Sequence, residues 1–188
     1  APQQRTASII FADIEGFTRL SETLPPVRVI GMLNSFFSAA TSIVDDRGGV
    51  VVNYIGDAFI AAFNAPLPAE DHSVRAVDAA RDLLSLASGR KFEGHQLRLR
   101  IGVATGPVAA GTVGSEERHT YTLYGDTVNL AQRLERLNKE FETDCLISGS
   151  TLEAARSNCV DAVAIGSVQV PGRESAVEVF ALGEQSRR

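Results

Sequence analysis

Long apolar runs, clusters of like charge and cysteines are all scarce in this 188-residue chain, and each scarcity removes a class of function. No stretch approaches the roughly 18 consecutive apolar residues that span a bilayer, and no signal-peptide pattern opens the chain. A cytoplasmic location is expected, with any membrane attachment made only through segments absent from this chain. Lys and Arg are scattered within a net charge of -5, without the basic run that nucleic acid or anionic lipid would require. No nucleic-acid partner is therefore expected. The two cysteines, Cys145 and Cys159, lack metal-ligand spacing and read as reduced thiols. Internal repeats and low-complexity tracts are missing as well. What remains is 44% hydrophobic and 22% charged, an ordinary globular composition, long enough for one domain over 1–188 with a real core. The first apolar strand begins within ten residues of the start, as in a catalytic module taken from a longer multidomain protein.

Against this plain background two short apolar strands each deliver an aspartate into a glycine turn. Asp13 follows Ile9-Ile10-Phe11-Ala12 and precedes Ile14-Glu15-Gly16-Phe17-Thr18. Asp57 follows Val50-Val51-Val52-Asn53-Tyr54-Ile55-Gly56. A carboxylate where an apolar strand leaves the core is costly to desolvate unless something positive meets it. Taken singly, Asp13 reads equally as a helix cap and Asp57 as a turn residue. As a pair on adjacent strands, they suit hard cations shared with a phosphate-bearing substrate. The glycine turn at 14–18 opens toward a helix whose free N–H groups suit a phosphate chain.

Periodicity organises the rest. A buried strand is expected at 7–12, a short helix at 18–22, and a long helix from Pro25-Pro26 to about Asp46 stopped by Gly48-Gly49. Residues 50–54 and 58–63 read as a hairpin around Gly56-Asp57. A helix from Glu70-Asp71-His72 to about Ser88 follows. The strand at 98–104 turns Leu99, Ile101 and Val103 inward and Arg98 and Arg100 outward; Thr105-Gly106-Pro107 is expected to break it before a second strand at 108–114. A strand at 120–124 leads to a helix at 127–138, with Asp126 as its cap. A strand at 145–148, a helix at 150–156 and strands at 163–170 and 176–182 complete a mixed α/β sheet. Asn129 and Arg133, four apart, share one face of the 127–138 helix, where Arg offers a planar fork for phosphate and Asn can orient a hydroxyl.

Several of these segments together resemble the class III nucleotide cyclase catalytic domain, bacterial type. The resemblance rests on Phe-Ala-Asp-Ile-Glu-Gly-Phe-Thr at 11–18, Tyr-Ile-Gly-Asp-Ala at 54–58, Gly-Val-Ala-Thr-Gly-Pro-Val at 102–108, Gly-Thr-Val-Gly-Ser at 111–115 and Gly-Asp-Thr-Val-Asn-Leu-Ala-Gln-Arg-Leu-Glu at 125–135. It covers about 5–182. It implies an α/β (α+β) fold with a ferredoxin-like mixed sheet flanked by helices, and a head-to-tail homodimer with active sites at its interface. Asp13 and Asp57 match the metal-binding aspartates, with the Ile14 carbonyl assisting two Mg2+ (or Mn2+) ions. Gly16, Phe17 and Thr18 match the turn that holds the triphosphate. Asn129 and Arg133 match the pair supplied by the partner chain. The implied reaction converts ATP, or GTP, to a 3′,5′-cyclic nucleotide and pyrophosphate.

The chain departs from the family at the positions that read the base. Adenylyl cyclases usually carry Lys four residues before the second metal aspartate and Asp or Thr seven before the Asn. Thr122 fits the second position, but the first is Asn53, which both donates and accepts and so excludes neither purine. ATP is expected to be preferred weakly. Asn53 also leaves open a regulatory nucleotide-binding domain without turnover. A diguanylate cyclase is disfavoured because its Gly-Gly-Asp/Glu-Glu-Phe hairpin is replaced here by Ile-Gly-Asp-Ala-Phe at 55–59. Where family members place a triphosphate-reaching lysine, this chain has Gly172-Arg173, which fits either a substitute cation or a surface turn. His72 and His95 are expected in solvated positions, and His119 is given no proton-transfer role.

Overall fold

The computed structural model describes residues 1–183. In chain order the elements are β1 (Gln3–Ile14), α1 (Phe17–Glu22), α2 (Pro26–Asp46), β2 (Val50–Ile55), β3 (Ala58–Phe63) and α3 (His72–Gly89). A small hairpin of β4 (Lys91–Phe92) and β5 (His95–Gln96) precedes β6 (Leu99–Ser115), β7 (Arg118–Tyr124), α4 (Asp126–Phe141) and β8 (Cys145–Ser148). Then come α5 (Gly149–Ala154), a 3-10 turn (Arg156–Asn158), β9 (Val163–Val168) and β10 (Val177–Ala181). The expected mixed sheet runs β2-β3-β1-β6-β8-β10-β9, with β7 added to the far length of β6. Every pairing is antiparallel except β6 with β8.

Helices cover both faces, which is why the central strands read as nearly unbroken apolar runs. In β1, Ile10, Ala12 and Ile14 face α2 and α3, whereas Ala7, Ile9 and Phe11 face α4. α2 turns Met32, Phe36, Ala40 and Val44 inward at the 3.6-residue period. By length and mean hydropathy alone α2 would cross a bilayer, but this face packs into the core, Phe36 meeting Phe92 edge-on at 5.5 Å. Burying each of Phe36, Phe59 and Phe63 contributes about 2–3 kcal/mol.

α4 lies unusually close to the sheet. A Cβ on Gly102 of β6 would stand 2.1 Å from the Ala131 carbonyl oxygen and 2.5 Å from the Glu135 amide nitrogen. Only glycine permits that approach. Asn138 reinforces it by donating to the Ile101 carbonyl at 2.9 Å while its own oxygen accepts from Thr143.

Three expectations are corrected. Thr105-Gly106-Pro107 does not break the strand, because β6 changes partner there. β8 pairs with residues 101–103 of β6 and β7 with residues 109–115, so the N–H that Pro107 lacks falls in the gap between them. Gly106 leaves room for Thr127, whose hydroxyl donates to the Pro107 carbonyl at 2.8 Å. His72 is not a solvated histidine: it is half-buried, and its Nδ1 lies 2.8 Å from the buried Ser8 hydroxyl. Burial pulls its pKa below the usual imidazole value. His95 lies in the β4–β5 hairpin rather than a loop, with Glu93 and Gly94 at φ 49° and 78° making its turn.

The Gly102 contact gives a direct test. Gly102→Ala forces backbone against backbone and is expected to cost about 2–4 kcal/mol, read as a lower urea midpoint with an unchanged slope. A loss below about 0.5 kcal/mol would mean that α4 can lift off β6.

Candidate active site

The antiparallel pairing of β1 with β3 brings the two aspartates together. The last register pair is Ala12 with Phe59, so Asp13 and the Gly56-Asp57 turn emerge at the same end of the sheet. Gly56 holds φ 59°, which lets two residues close the hairpin between Ile55 and Ala58. The Ile14 amide donates to Asp57 Oδ2 at 3.2 Å, tying the end of one strand to the turn of the other. Gly16, at φ 68°, caps α1 without any side-chain bond, and a Cβ there would meet nothing within 4 Å. The turn beside the aspartates is therefore open. Phe17 packs partly into the core and Thr18 is exposed.

Two residues not singled out from sequence complete this corner. Arg100 stands opposite Asp13 in the β1–β6 register, its Nε 3.3 Å from Asp13 Oδ1 and 3.8 Å from Glu135 Oε1. Glu135, 3% exposed, comes from the inner face of α4. Its place was available in the pattern, since it lies one turn from Ala131 on the buried stripe. Arg100 read as an outward charge of a half-buried strand, and only the β1–β6 register reveals its partner.

The electrostatics are dominated by too many carboxylates. Burial, and then the charge on Asp13, push the Asp57 carboxyl above its usual range; the Ile14 amide and Arg100 oppose this only in part. Burial and a hydrogen bond shared with Asp13 push Glu135 up to about 9. Among the described residues no group of three or more His, Cys, Asp or Glu side chains has metal-site geometry. The acceptors the structure brings together here are the carboxylates of Asp13 and Asp57. That set suits a hard divalent cation completing its shell with water and phosphate oxygens.

Asn129 and Arg133 share the outer face of α4, both exposed, opposite the buried stripe of Leu130, Ala131, Leu134 and Asn138. With Gln132, Arg136, Val170 and Pro171 they line a cavity of about 480 Å³. The helix thus presents Glu135 to Asp13 on one side and Arg133 to the surroundings on the other. One chain does not unite the two groups. Asp126 is corrected as the cap: Gly125 occupies that position at φ 134°, a backbone conformation that favours glycine, and Asp126 sits at the first helical residue, 3.8 Å from Arg173 Nε. Arg173 is therefore drawn to the start of α4.

Asn53 is exposed on β2 opposite Ile60, at a bulge that leaves Val52 without a place in the register. Its neighbour Tyr54 turns to the opposite face, packing at a tilt against Phe37 with ring centroids 4.8 Å apart and bonding Thr41 at 2.6 Å. Thr122 is half-buried on β7 opposite Gly111. β2 and β7 approach each other, but no hydrogen bond joins Asn53 to Thr122 among the described residues.

Fold and site together define a nucleotide cyclase catalytic domain. Residues 1–183 match the family of the adenylate and guanylate cyclase catalytic domain, and the chain belongs to it. An adenylate cyclase of Rhizobium meliloti (strain 1021) is 32% identical over 188 residues, covering 96% of this chain. The match spans only 28% of that relative, so the chain equals about a quarter of its length. The guanylate cyclase domain of RhGC from Catenaria anguillulae, solved in complex with GTP, superposes with a TM-score of 0.86 at 27% identity, covering 98% of this chain and 100% of that one. The adenylyl cyclase CyaB of P. aeruginosa gives 0.84 at 28% identity, covering 100% and 98%. Both ATP- and GTP-type cyclases therefore share this architecture.

The buried acid sets a pH dependence. A folded-state carboxyl raised above its unfolded value binds its proton more tightly in the fold. Stability then falls as pH rises from about 4.5 to about 9, as the unfolded chain ionises first. Asp57 adds in the same direction. Without divalent cations, melting temperature is expected to drop between about pH 5 and about pH 8, and Glu135→Gln should flatten that slope. Equal slopes would show that Glu135 does not hold its proton.

Proposed function

We propose that the chain is the catalytic domain of a homodimeric purine nucleotide cyclase converting ATP to 3′,5′-cyclic AMP and pyrophosphate. The observation that carries this is the meeting of Asp13 and Asp57 at one strand end, bridged by the Ile14 amide and bordered by the open Gly16 turn. Asp13, Asp57 and the Ile14 carbonyl would hold two Mg2+ or Mn2+ ions, which would supply Lewis-acid activation of the ribose 3′-hydroxyl and neutralisation of the triphosphate. Gly16, Phe17 and Thr18 would cradle the phosphates with backbone N–H groups. Arg100, freed from Asp13, adds a cation beside them. The 3′-oxygen bonds to the α-phosphorus as the bond to the β-phosphate bridge breaks; pyrophosphate leaves and the hydroxyl proton passes to solvent.

Asn129 and Arg133 would act on the partner's substrate, Asn129 orienting the ribose and Arg133 stabilising charge that develops on the α-phosphate. Their position on the outer face of α4 supports this assignment, because it leaves them away from their own aspartates. Exposed Ile55, Val113 and Tyr124 on the two hairpins offer apolar surface for the second copy. Two such copies would form two complete sites.

Asn53 and Thr122 would read the base. Both can donate and accept, so selectivity for ATP over GTP is weak. The same Asn53 favours a second reading, a regulatory domain that binds nucleotide without turnover. Purified protein with Mn2+ and either ATP or GTP decides between them. ATP should yield cyclic AMP, and Asp57→Asn should reduce the rate by at least about 100-fold. Equal rates would remove the metal assignment, and no product from either protein would favour the regulatory reading. Asn53→Lys should sharpen the ATP preference; an unchanged ATP/GTP ratio would show that Asn53 does not touch the base.

A further inference from the structure

We propose that Arg136 is a further phosphate-contacting residue, taking the outer phosphates of the nucleotide while Arg133 takes the inner one; this rests on the cyclase reading above. Asn129, Arg133 and Arg136 stand at i, i+4 and i+7 on α4. They form one stripe about 10 Å long on its outer face. All three line the same 480 Å³ cavity, which Val170 and Pro171 of the β9–β10 loop close from the other side. With Asn129 at the sugar and Arg133 at the α-phosphate, the stripe continues toward Arg136 in the direction in which a triphosphate extends.

The charge pattern supports the same assignment. Arg47, Arg75, Arg81, Arg98 and Arg100 each have a carboxylate partner. Arg133 and Arg136, within one turn of each other, make no ion pair within 4 Å among the described residues, as is also true of surface arginines such as Arg19 and Arg118, and the charge on Arg136 reaches only the buried Glu135. Two like charges at that spacing destabilise a helix, and an anion that spans them removes the penalty. Guanidinium is also the side chain whose planar fork matches phosphate oxygens. The next residue of the row, Glu140, ends it with an opposite charge at the cavity rim. The row therefore runs amide, cation, cation, acid, and with Asp126 lining the other end of the same cavity the positive charge is concentrated over its middle.

Binding of 3′-deoxy-ATP and 3′-deoxy-AMP, neither of which can cyclise, tests the assignment by calorimetry with Mn2+. Arg136→Gln should weaken 3′-deoxy-ATP about tenfold and leave 3′-deoxy-AMP unchanged, with KM for ATP rising and kcat nearly constant. A heterodimer of an Asp57→Asn chain and an Arg133→Ala chain holds one intact site. There Arg136→Gln should raise KM only when carried by the Asp57→Asn chain, which supplies the α4 half. Equal loss for both ligands, equal effect from either chain, or no loss at all would overturn the role of Arg136 alone. Failure of the unaltered protein to bind 3′-deoxy-ATP would overturn the cyclase reading and this proposal with it.

Discussion

Three carboxylates and one guanidinium crowd the point where β1 leaves the sheet, and the rest of the structure is arranged around that imbalance. Asp13, Asp57 and Glu135 cannot all carry charge there with only Arg100 between them. The protein relieves the repulsion in small ways, with the Ile14 amide on Asp57 and a retained proton on Glu135. Neither removes it. A site held in this state gains from a hard cation that arrives, because the cation relieves the repulsion among the carboxylates, although it must displace Arg100 from Asp13. The carboxylates are thus costly to the fold and useful to the chemistry for the same electrostatic reason.

What keeps the groups in place is the sheet. Asp13 and Arg100 face each other because β1 and β6 pair over the whole length of β1, from Gln3 to Ile14. Asp57 reaches them because β3 is antiparallel to the same strand and its turn is only two residues long. Glu135 arrives through a different route, on a helix seated on Gly102. Four separate elements therefore converge on one corner, and none of the distances depends on a long loop.

Much of this was legible in the sequence, for identifiable reasons. The apolar runs at 7–12 and 58–63 are buried on both faces, so composition alone marks them as strands. The 3.6-residue period of α2 and α4 survives because each has one face in the core. Asp13 and Asp57 stood out because carboxylates rarely end such strands without cause. Arg100 and Glu135 did not, since the significance of each depends on a partner more than thirty residues away in the chain. Gly106-Pro107 misled because a break signal counts only where a neighbouring strand needs the missing N–H, and here the neighbours change over. His72 misled for a related reason: the helix start was correct, but the hydroxyl of Ser8 that claims its ring comes from β1.

The seating of α4 on Gly102 has a consequence for accuracy. Arg133 and Glu135 project from opposite sides of one rod whose side-chain radius is about 5–6 Å, so a roll of about 10° would swing each tip by about 1 Å in opposite senses. Displacements of that size are enough to spoil the alignment of reacting groups. The glycine leaves no clearance for the roll, since helix backbone already touches strand backbone. A hydrogen atom in place of a methyl group, deep under the helix, is the mechanical stop that fixes the aim of an arginine on the far side.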